Sequence, residues 1–205
     1  MRMLIGPLLL LSTLAAQTPT APVTAGAPAP PTFKTLDQGM LQNTWFGADL
    51  DWKEHPKGFL DFFWMKPGLN LKGHGLHLEK WDSPAMLDQG RDSEDRAKAV
   101  EAGNAFRGLF EARIEHLLDG KVKASFYDGD LSLMGRVVDC RNQPFSGPFI
   151  TGSSLLIFDL KVVDPKTHEL LLAAHHTLRS TNGLEKMVNS WVPDFGRYLG
   201  KVAIH

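Results

Sequence analysis

The densest run of chemistry-bearing side chains is DPKTHELLLAAHHTL, Asp164 to Leu178, which puts His168, His175 and His176 within nine positions. Imidazoles so grouped could ligate a metal or relay a proton, and both uses need the rings to converge. The surrounding pattern argues against convergence. Two apolar segments, 154–163 and 169–177, flank Asp164-Pro165-Lys166-Thr167. Proline after aspartate presets a type I turn whose amides Asp164 can bind, so the run predicts an antiparallel hairpin. Neighbouring residues of a strand point to opposite faces, and His175 and His176 therefore cannot hold one ion while the strand stays regular. His168 would lie about 26 Å from His176 at ~3.3 Å per residue, too far to share a coordination sphere. These histidines are expected to mark scaffold.

Other candidates fare no better. His74 and His77, in GHGLH, are three apart and fall on opposite sides of a strand, and neither HExxH nor paired cysteines supply the remaining ligands of a metal site. Asp128 and Asp130 flank a turn glycine, and Asp49 and Asp51 lie in an aromatic stretch. Glu111 and Glu115, with Arg107 and Arg113 close by, share a helix face and read as a solvated charged surface. No GxSxG, GxxxxGK[ST] or GxGxxG occurs, and Gly152-Ser153-Ser154 lies between a loop and a strand, where a nucleophile elbow does not form. No catalytic residue, metal ligand or cofactor is assigned.

The elements that position these residues follow from periodicity. Residues 75–81 alternate as a strand. A helix is predicted over about 93–118, capped by Asp92 or Ser93, carrying Phe106, Leu109, Phe110, Ile114 and Leu117 on one stripe and stopped by Gly120. Strands are predicted at 121–127, 131–140, 154–163 and 169–177. A last helix, about 183–200, starts with the capping pair Asn182 and Glu185, and Pro193 should kink or restart it. The fold class is α+β: a mostly antiparallel sheet of about five strands with the two helices packed on one face. Cys140, the only cysteine, ends an apolar run and is expected to be buried and inert.

Upstream, the chain changes character. Residues 1–16, with Arg2 before an apolar run about 11 residues long and small Ala15-Ala16 after it, read as a secretory signal peptide, since spanning a bilayer takes roughly 20. Residues 17–35, rich in Pro, Ala and Thr, read as a disordered tether. Residues 36–70 form an arm in which Trp45, Phe46, Trp52, Phe59, Phe62, Phe63 and Trp64 fall within twenty positions. Such an arm either packs on the main sheet or offers an aromatic contact platform. Residues 71–205 complete the α+β domain. The net charge of -1 and pI near 6.7 give no electrostatic case for nucleic acid, and no transmembrane span is expected once the signal is cleaved.

The stretches FFWMKPGLNLKGHGLHLEKWD and GSSLLIFDLKVVDPKTHELLLAA resemble bacterial envelope proteins of unassigned function, in which a P-G-x-x-L step leads into a first strand and an Asp-Lys-Thr turn joins two apolar strands. Their α+β domain is distantly similar to the periplasmic domain of the curli-secretion lipoprotein. The likeness spans about residues 60–180 and brings no catalytic residues. Many relatives carry a lipobox cysteine, which is absent here, so no anchoring through an N-terminal cysteine is expected. Their usual turn glycine is His168 in this chain, which requires a turn open enough for a side chain. The resulting expectation is an exported, periplasmic or extracellular, non-enzymatic binding or assembly module. Its contact residues would be Trp45, Trp52, Phe63 and Trp64, and its partner an envelope protein or cell-wall component. The alternatives are a secreted hydrolase using Asp49, Asp51 or His77, and a small-ligand carrier with a pocket between helix 93–118 and the sheet.

Overall fold

The computed structural model describes residues 41–54, 60–86, 93–142 and 152–205, all within the unit Phe33–His205. The expected signal peptide and tether, Phe59 and the candidate cap Asp92 lie outside the described residues. In chain order the elements are α1 (Asn43–Phe46), β1 (Lys53–Glu54), β2 (Phe62–Met65), β3 (Gly75–Leu78), α2 (Ser93–Leu117), β4 (Lys123–Ser125), β5 (Leu131–Arg141), β6 (Ser154–Val163), β7 (Leu170–Ser180) and α3 (Leu184–Val202). Among the described residues the strands form one sheet in the order β1-β2-β7-β6-β5-β3-β4. No described helix is long and apolar enough to cross a membrane.

The class is α+β, and four of the six strand pairs are antiparallel as expected, but among the described residues the sheet has seven strands rather than about five and is mixed, with two parallel pairs. Both differences have physical causes. The two extra strands, β1 and β2, come from the aromatic arm. Phe62 and Phe63 are both buried, because β2 is covered on its two faces, and a strand buried on both sides shows no alternation to read. The parallel pairs arise because β3 pairs with both β4 and β5 in parallel. With α2 as the crossover, β3-α2-β4 is a βαβ unit, the connection that adjacent parallel strands demand. Beyond Leu78 the chain keeps following β5 through Glu79 N–H to Leu133 O at 3.0 Å, Asp82 N–H to Gly135 O at 3.0 Å and Ala85 N–H to Val137 O at 2.9 Å.

The β6–β7 hairpin is antiparallel, with Leu160 opposite Ala174 and Asp159 opposite His175. Its turn works through Asp164, whose Oδ1 accepts the Lys166 N–H at 2.8 Å and that of Thr167 at 3.4 Å. His168 takes the left-handed conformation, φ 58°, which glycine enters without steric cost.

One sheet face carries both long helices. Phe106, Phe110 and Ile114 of α2 meet Trp191, Phe195 and Leu199 of α3 over Phe158, Leu160 and Val162 of β6 in a single core. Trp191 stacks on Phe195 at 4.9 Å and meets Phe158 edge-on at 4.4 Å. Cys140 is buried in this core. The helices cross closely at Gly196, where a Cβ would lie 2.8 Å from Leu117 Cδ1. Two details of α3 differ from the sequence reading. Gly183, not Asn182, is the N-cap, with φ 83° and no side-chain bond. Pro193 lies inside one continuous helix, and the carbonyl it leaves without an amide partner belongs to exposed Asn189, where water can serve it. The opposite sheet face bears a small apolar cluster of Val138, Leu155 and Ile157 and, beside it, the charged groups considered next.

Candidate functional site

Strand register builds the site. Phe62 of β2 stands opposite His175 of β7, His175 opposite Asp159 of β6, and Asp159 opposite Arg136 of β5. Side chains directly opposite on one face lie about 4.5–5.5 Å apart at Cβ, so these four form one row across four strands. The two long helices cover the other face, leaving the row on the side where the arm lies. Asp159 and His175 are both fully buried and Arg136 is 8% exposed. Asp159 Oδ2 accepts Arg136 Nε–H at 2.9 Å and Nη2–H at 2.7 Å, and its Oδ1 lies 2.6 Å from His175 Nδ1. A carboxylate can only accept, so Nδ1 carries the proton.

The neighbouring row on this face reads Trp64, Ala173, Lys161 and Met134. Burial lowers the Lys161 ammonium below the usual lysine range; Asp82 and Asp159 oppose that shift, and Arg136 reinforces it. Over both rows lies the arm. The Trp45 ring covers Lys161 Nζ at 4.3 Å and the Arg136 guanidinium carbon at 4.9 Å. Its indole N–H donates to Asp82 Oδ2 at 2.7 Å, and Lys161 Nζ donates to the Trp45 backbone carbonyl at 2.7 Å. Phe46 is buried between Trp45 and Trp52, with ring centroids 4.9 Å from each. Trp52 donates its indole N–H to Asn43 Oδ1 at 2.7 Å and meets Phe62 edge-on. The aromatic series thus ends on Phe62, whose ring lies 5.9 Å from His175.

Of the four candidate contact residues, Trp45, Trp52 and Trp64 are half-buried, and strand alternation puts Trp64 on the same face as Phe62. Phe63 points the other way, 4% exposed, with its ring edge-on to Tyr198 of α3. Burial raises the Tyr198 phenol above its ordinary range.

The histidines separate as strand geometry requires. His175 joins Asp159 on the arm face. His176 stacks on Trp191 on the helix face, with Nδ1 3.2 Å from Asp61 Oδ2. His74 Nδ1 lies 2.5 Å from Asp130, whose other oxygen accepts the Gly75 N–H at 2.6 Å. His77 turns instead to Glu79 at 3.3 Å and the Phe126 carbonyl at 3.2 Å. Asp49 and Asp51 are exposed on the arm, and among the described residues no hydrogen bond or ion pair joins either to His77. Glu111 is not simply a solvated charge: Oε1 accepts the Phe126 N–H at 3.1 Å, while Arg107 covers the Phe126 ring and donates to Leu78 O. A cavity of about 430 Å³ opens between α2 and the start of α3, lined by Lys98, Glu101, Asn142, Asn182 and Lys186.

Sequence reasoning missed Arg136 and Asp159. The available signal was a charged residue inside each of two apolar strands, LMGRVVDC and LLIFDLKVV, where burial without a partner is costly. Chemically, the Asp159–His175 pair has the form of an acid–base dyad. With both side chains sealed beneath the arm and Arg136 occupying the carboxylate, it holds three strands together instead.

The fold and this face define a class: an α+β protein whose mixed sheet carries two helices on one side and an aromatic arm clasping buried charges on the other. No protein-family model matches the sequence, and no curated protein matches it. Solved structures with some likeness include the PelC dodecamer from Paraburkholderia phytofirmans, 13% identical over 70% of this chain and 96% of that chain, TM-score 0.45. A protein from Xanthomonas campestris is 12% identical over 66% and 86% of the two chains, TM-score 0.40. A lipoprotein from Neisseria meningitidis is 9% identical over 62% and 98%, TM-score 0.37. None of the three is close enough to carry an assignment.

Proposed function

We propose that this chain is an exported bacterial envelope protein acting as a non-enzymatic binding or assembly module. In this reading residues 1–16 are a cleaved signal and 17–35 a tether that carries the domain away from its point of export. The observation that carries it is the set of half-buried tryptophans, Trp45, Trp52 and Trp64, on the sheet face opposite the two long helices. Two of them are fixed by indole hydrogen bonds to Asp82 and Asn43. Pre-positioned tryptophans lose little side-chain entropy on contact, which is why they recur as interface anchors. Phe63, buried against α3, supports the platform by fixing β2. The partner is an envelope protein or a cell-wall component, as the resemblance to envelope proteins and to the periplasmic domain of the curli-secretion lipoprotein implies.

The test compares full-length wild type with Trp52→Ala and Trp64→Ala for binding to purified cell-wall sacculi and to washed envelope membranes, with circular dichroism monitoring the fold. Folded variants should lose most of the binding. Absence of wild-type binding to either material, or binding that both folded variants keep, refutes the contact assignment. N-terminal sequencing of the exported protein should begin just after Ala15 or Ala16, and an uncleaved chain refutes export by a cleaved signal.

A further inference from the structure

The two long helices pack tightly at one end only. A Cβ at Gly196 would lie 2.8 Å from Leu117 Cδ1, and one at Gly200 would lie 2.9 Å from Leu118 Cδ2, so the end of α2 leaves no room against the second half of α3. Near the start of α3 the facing α2 side chains shrink to Ala102 and Ala105, and the cavity of about 430 Å³ opens there. Lys98, Glu101, Ala102 and Ala105 recur at helical spacing, so one face of α2 forms a whole wall. A hollow of this size suits a small molecule, and left unfilled it forfeits packing contacts along its lining.

The lining narrows the class of occupant. Its charges balance, Lys98 and Lys186 against Glu101 and Glu185, which favours neither a polyanion nor a polycation. Among the described residues no aromatic ring lines it, so a base or other flat ring would find no stacking surface. Asn142 follows β5 and Asn182 precedes α3, and each presents a carboxamide, which sets donors beside an acceptor as a peptide group does. Asn142 Oδ1 takes one long bond, 3.4 Å, from the Ser154 hydroxyl. Among the described residues no hydrogen bond engages Asn142 Nδ2 or the Asn182 side chain. Ala102, Leu184 and Val188 are buried beneath and Ala105 half-buried, an apolar floor for a small side chain.

We propose that this cavity binds a short peptide with both termini free. Its carboxylate meets Lys98 and Lys186, its ammonium Glu101 and Glu185, and its peptide groups Asn142 and Asn182. The Lys98–Glu101 pair, 2.9 Å apart and solvent-facing, does not oppose this, because an exposed ion pair contributes little and its members exchange partners at little cost. The site lies between the helices, apart from the tryptophans on the opposite sheet face, and goes beyond the module reading without depending on it.

The experiment titrates trialanine into the full-length chain by calorimetry, beside N-acetyl-trialanine amide, which keeps the peptide groups and loses both charges. Trialanine should bind one-to-one, and the blocked peptide about tenfold or more weakly. Ala105→Leu puts a larger side chain into the cavity from a helix position that suits leucine; it should abolish binding with circular dichroism unchanged. Should that variant fail to fold, Lys98→Gln with Lys186→Gln takes its place; it should weaken trialanine about tenfold and leave the blocked peptide unaffected. No binding of trialanine up to about 10 mM, equal affinity for the blocked peptide, or full binding by a folded Ala105→Leu or by the double variant overturns the inference. A chain that binds trialanine but neither sacculi nor membranes fails the module reading alone. A chain that binds sacculi through Trp52 and Trp64 but not trialanine fails this site alone.

Discussion

Asp159→Ala is the sharpest perturbation of the buried row. The carboxylate is fully buried and serves Arg136 twice, at 2.9 and 2.7 Å, and His175 once, at 2.6 Å. Its removal leaves a guanidinium that is 8% exposed without its counter-charge and the His175 N–H without that acceptor. Nearby Lys161, whose charged form Asp159 helps to hold, would then face Arg136 with only Asp82 to offset it. Breaking a buried ion pair from one side costs about 3–5 kcal/mol. Native domains have only about 5–15 kcal/mol in all, so the loss is a large fraction of the total. For a domain of this size it corresponds to a fall in Tm of roughly 6–20 °C. Urea denaturation should show a lower midpoint with an unchanged slope. The triple change Arg136→Met, Asp159→Leu, His175→Leu removes all the charge together and should cost far less than Asp159→Ala, because no group is left stranded. A loss below about 1 kcal/mol in Asp159→Ala would show that water reaches the row and that the electrostatic reasoning is wrong. A triple variant as weak as the single one would assign the effect to packing.

Other outcomes follow from single contacts. Gly135→Ala should cost about 1–3 kcal/mol by urea denaturation, since its Cβ would lie 2.4 Å from Trp81 Cε2, in a rigid ring; a neutral result would mean the Trp81 pocket can open. His168→Gly should be neutral or stabilise by up to ~1 kcal/mol, because His168 holds φ 58°; a clear loss would show that its side chain contributes to the turn. Asp61 is held below the ordinary aspartate range: burial pushes its pKa up, but the hydrogen bond and charge of His176 and the Thr177 amide outweigh that. Asp164 is also lowered, chiefly by the Lys166 amide. Groups depressed in the folded state contribute stability above their unfolded pKa, about 3.9, and lose it as pH falls through the folded value. Stability should therefore drop in that acid window, and Asp61→Asn should flatten the drop; an unchanged profile contradicts the assignment. Cys140 should resist thiol reagents until the chain unfolds.

How much the sequence revealed depended on how one-sided each element is. The hairpin was readable because Asp164-Pro165 is turn chemistry between two long apolar runs, and α2 because Phe106, Phe110 and Ile114 keep helical spacing beneath a charged outer face. β2 was not readable: FFWM is buried on both faces by different partners, Phe62 by the arm and Phe63 by α3, so periodicity carries no signal there. The parallel pairing of β3 was hidden for another reason. Parallel partners are set by how a crossover helix returns the chain, and the alternation of residues 75–81 contains nothing about that return.

The candidate site was hidden by register, and the same rule that dismissed the histidines would have found it. A period of two separates His175 from His176, its neighbour in sequence, and it equally fixes which residue stands across from His175 once the turn is placed. With Val162 opposite Leu172, three steps back along β6 and three forward along β7 bring Asp159 to His175; Arg136 follows on β5. In a sheet, chemistry gathers across strands rather than along them. The useful question for a charged residue inside an apolar strand is therefore which residue lies opposite it. Asked of His176, that question leads to apolar Phe158, but asked of His175 it leads to buried Asp159, then to Arg136 and the Trp45 ring over it, so the arm and the buried row are one structural unit. An arm lifted from the sheet would expose Arg136 and Asp159 to water, weakening the pair it now shields, and the stability of the central strands should therefore fall with any change that frees Trp45.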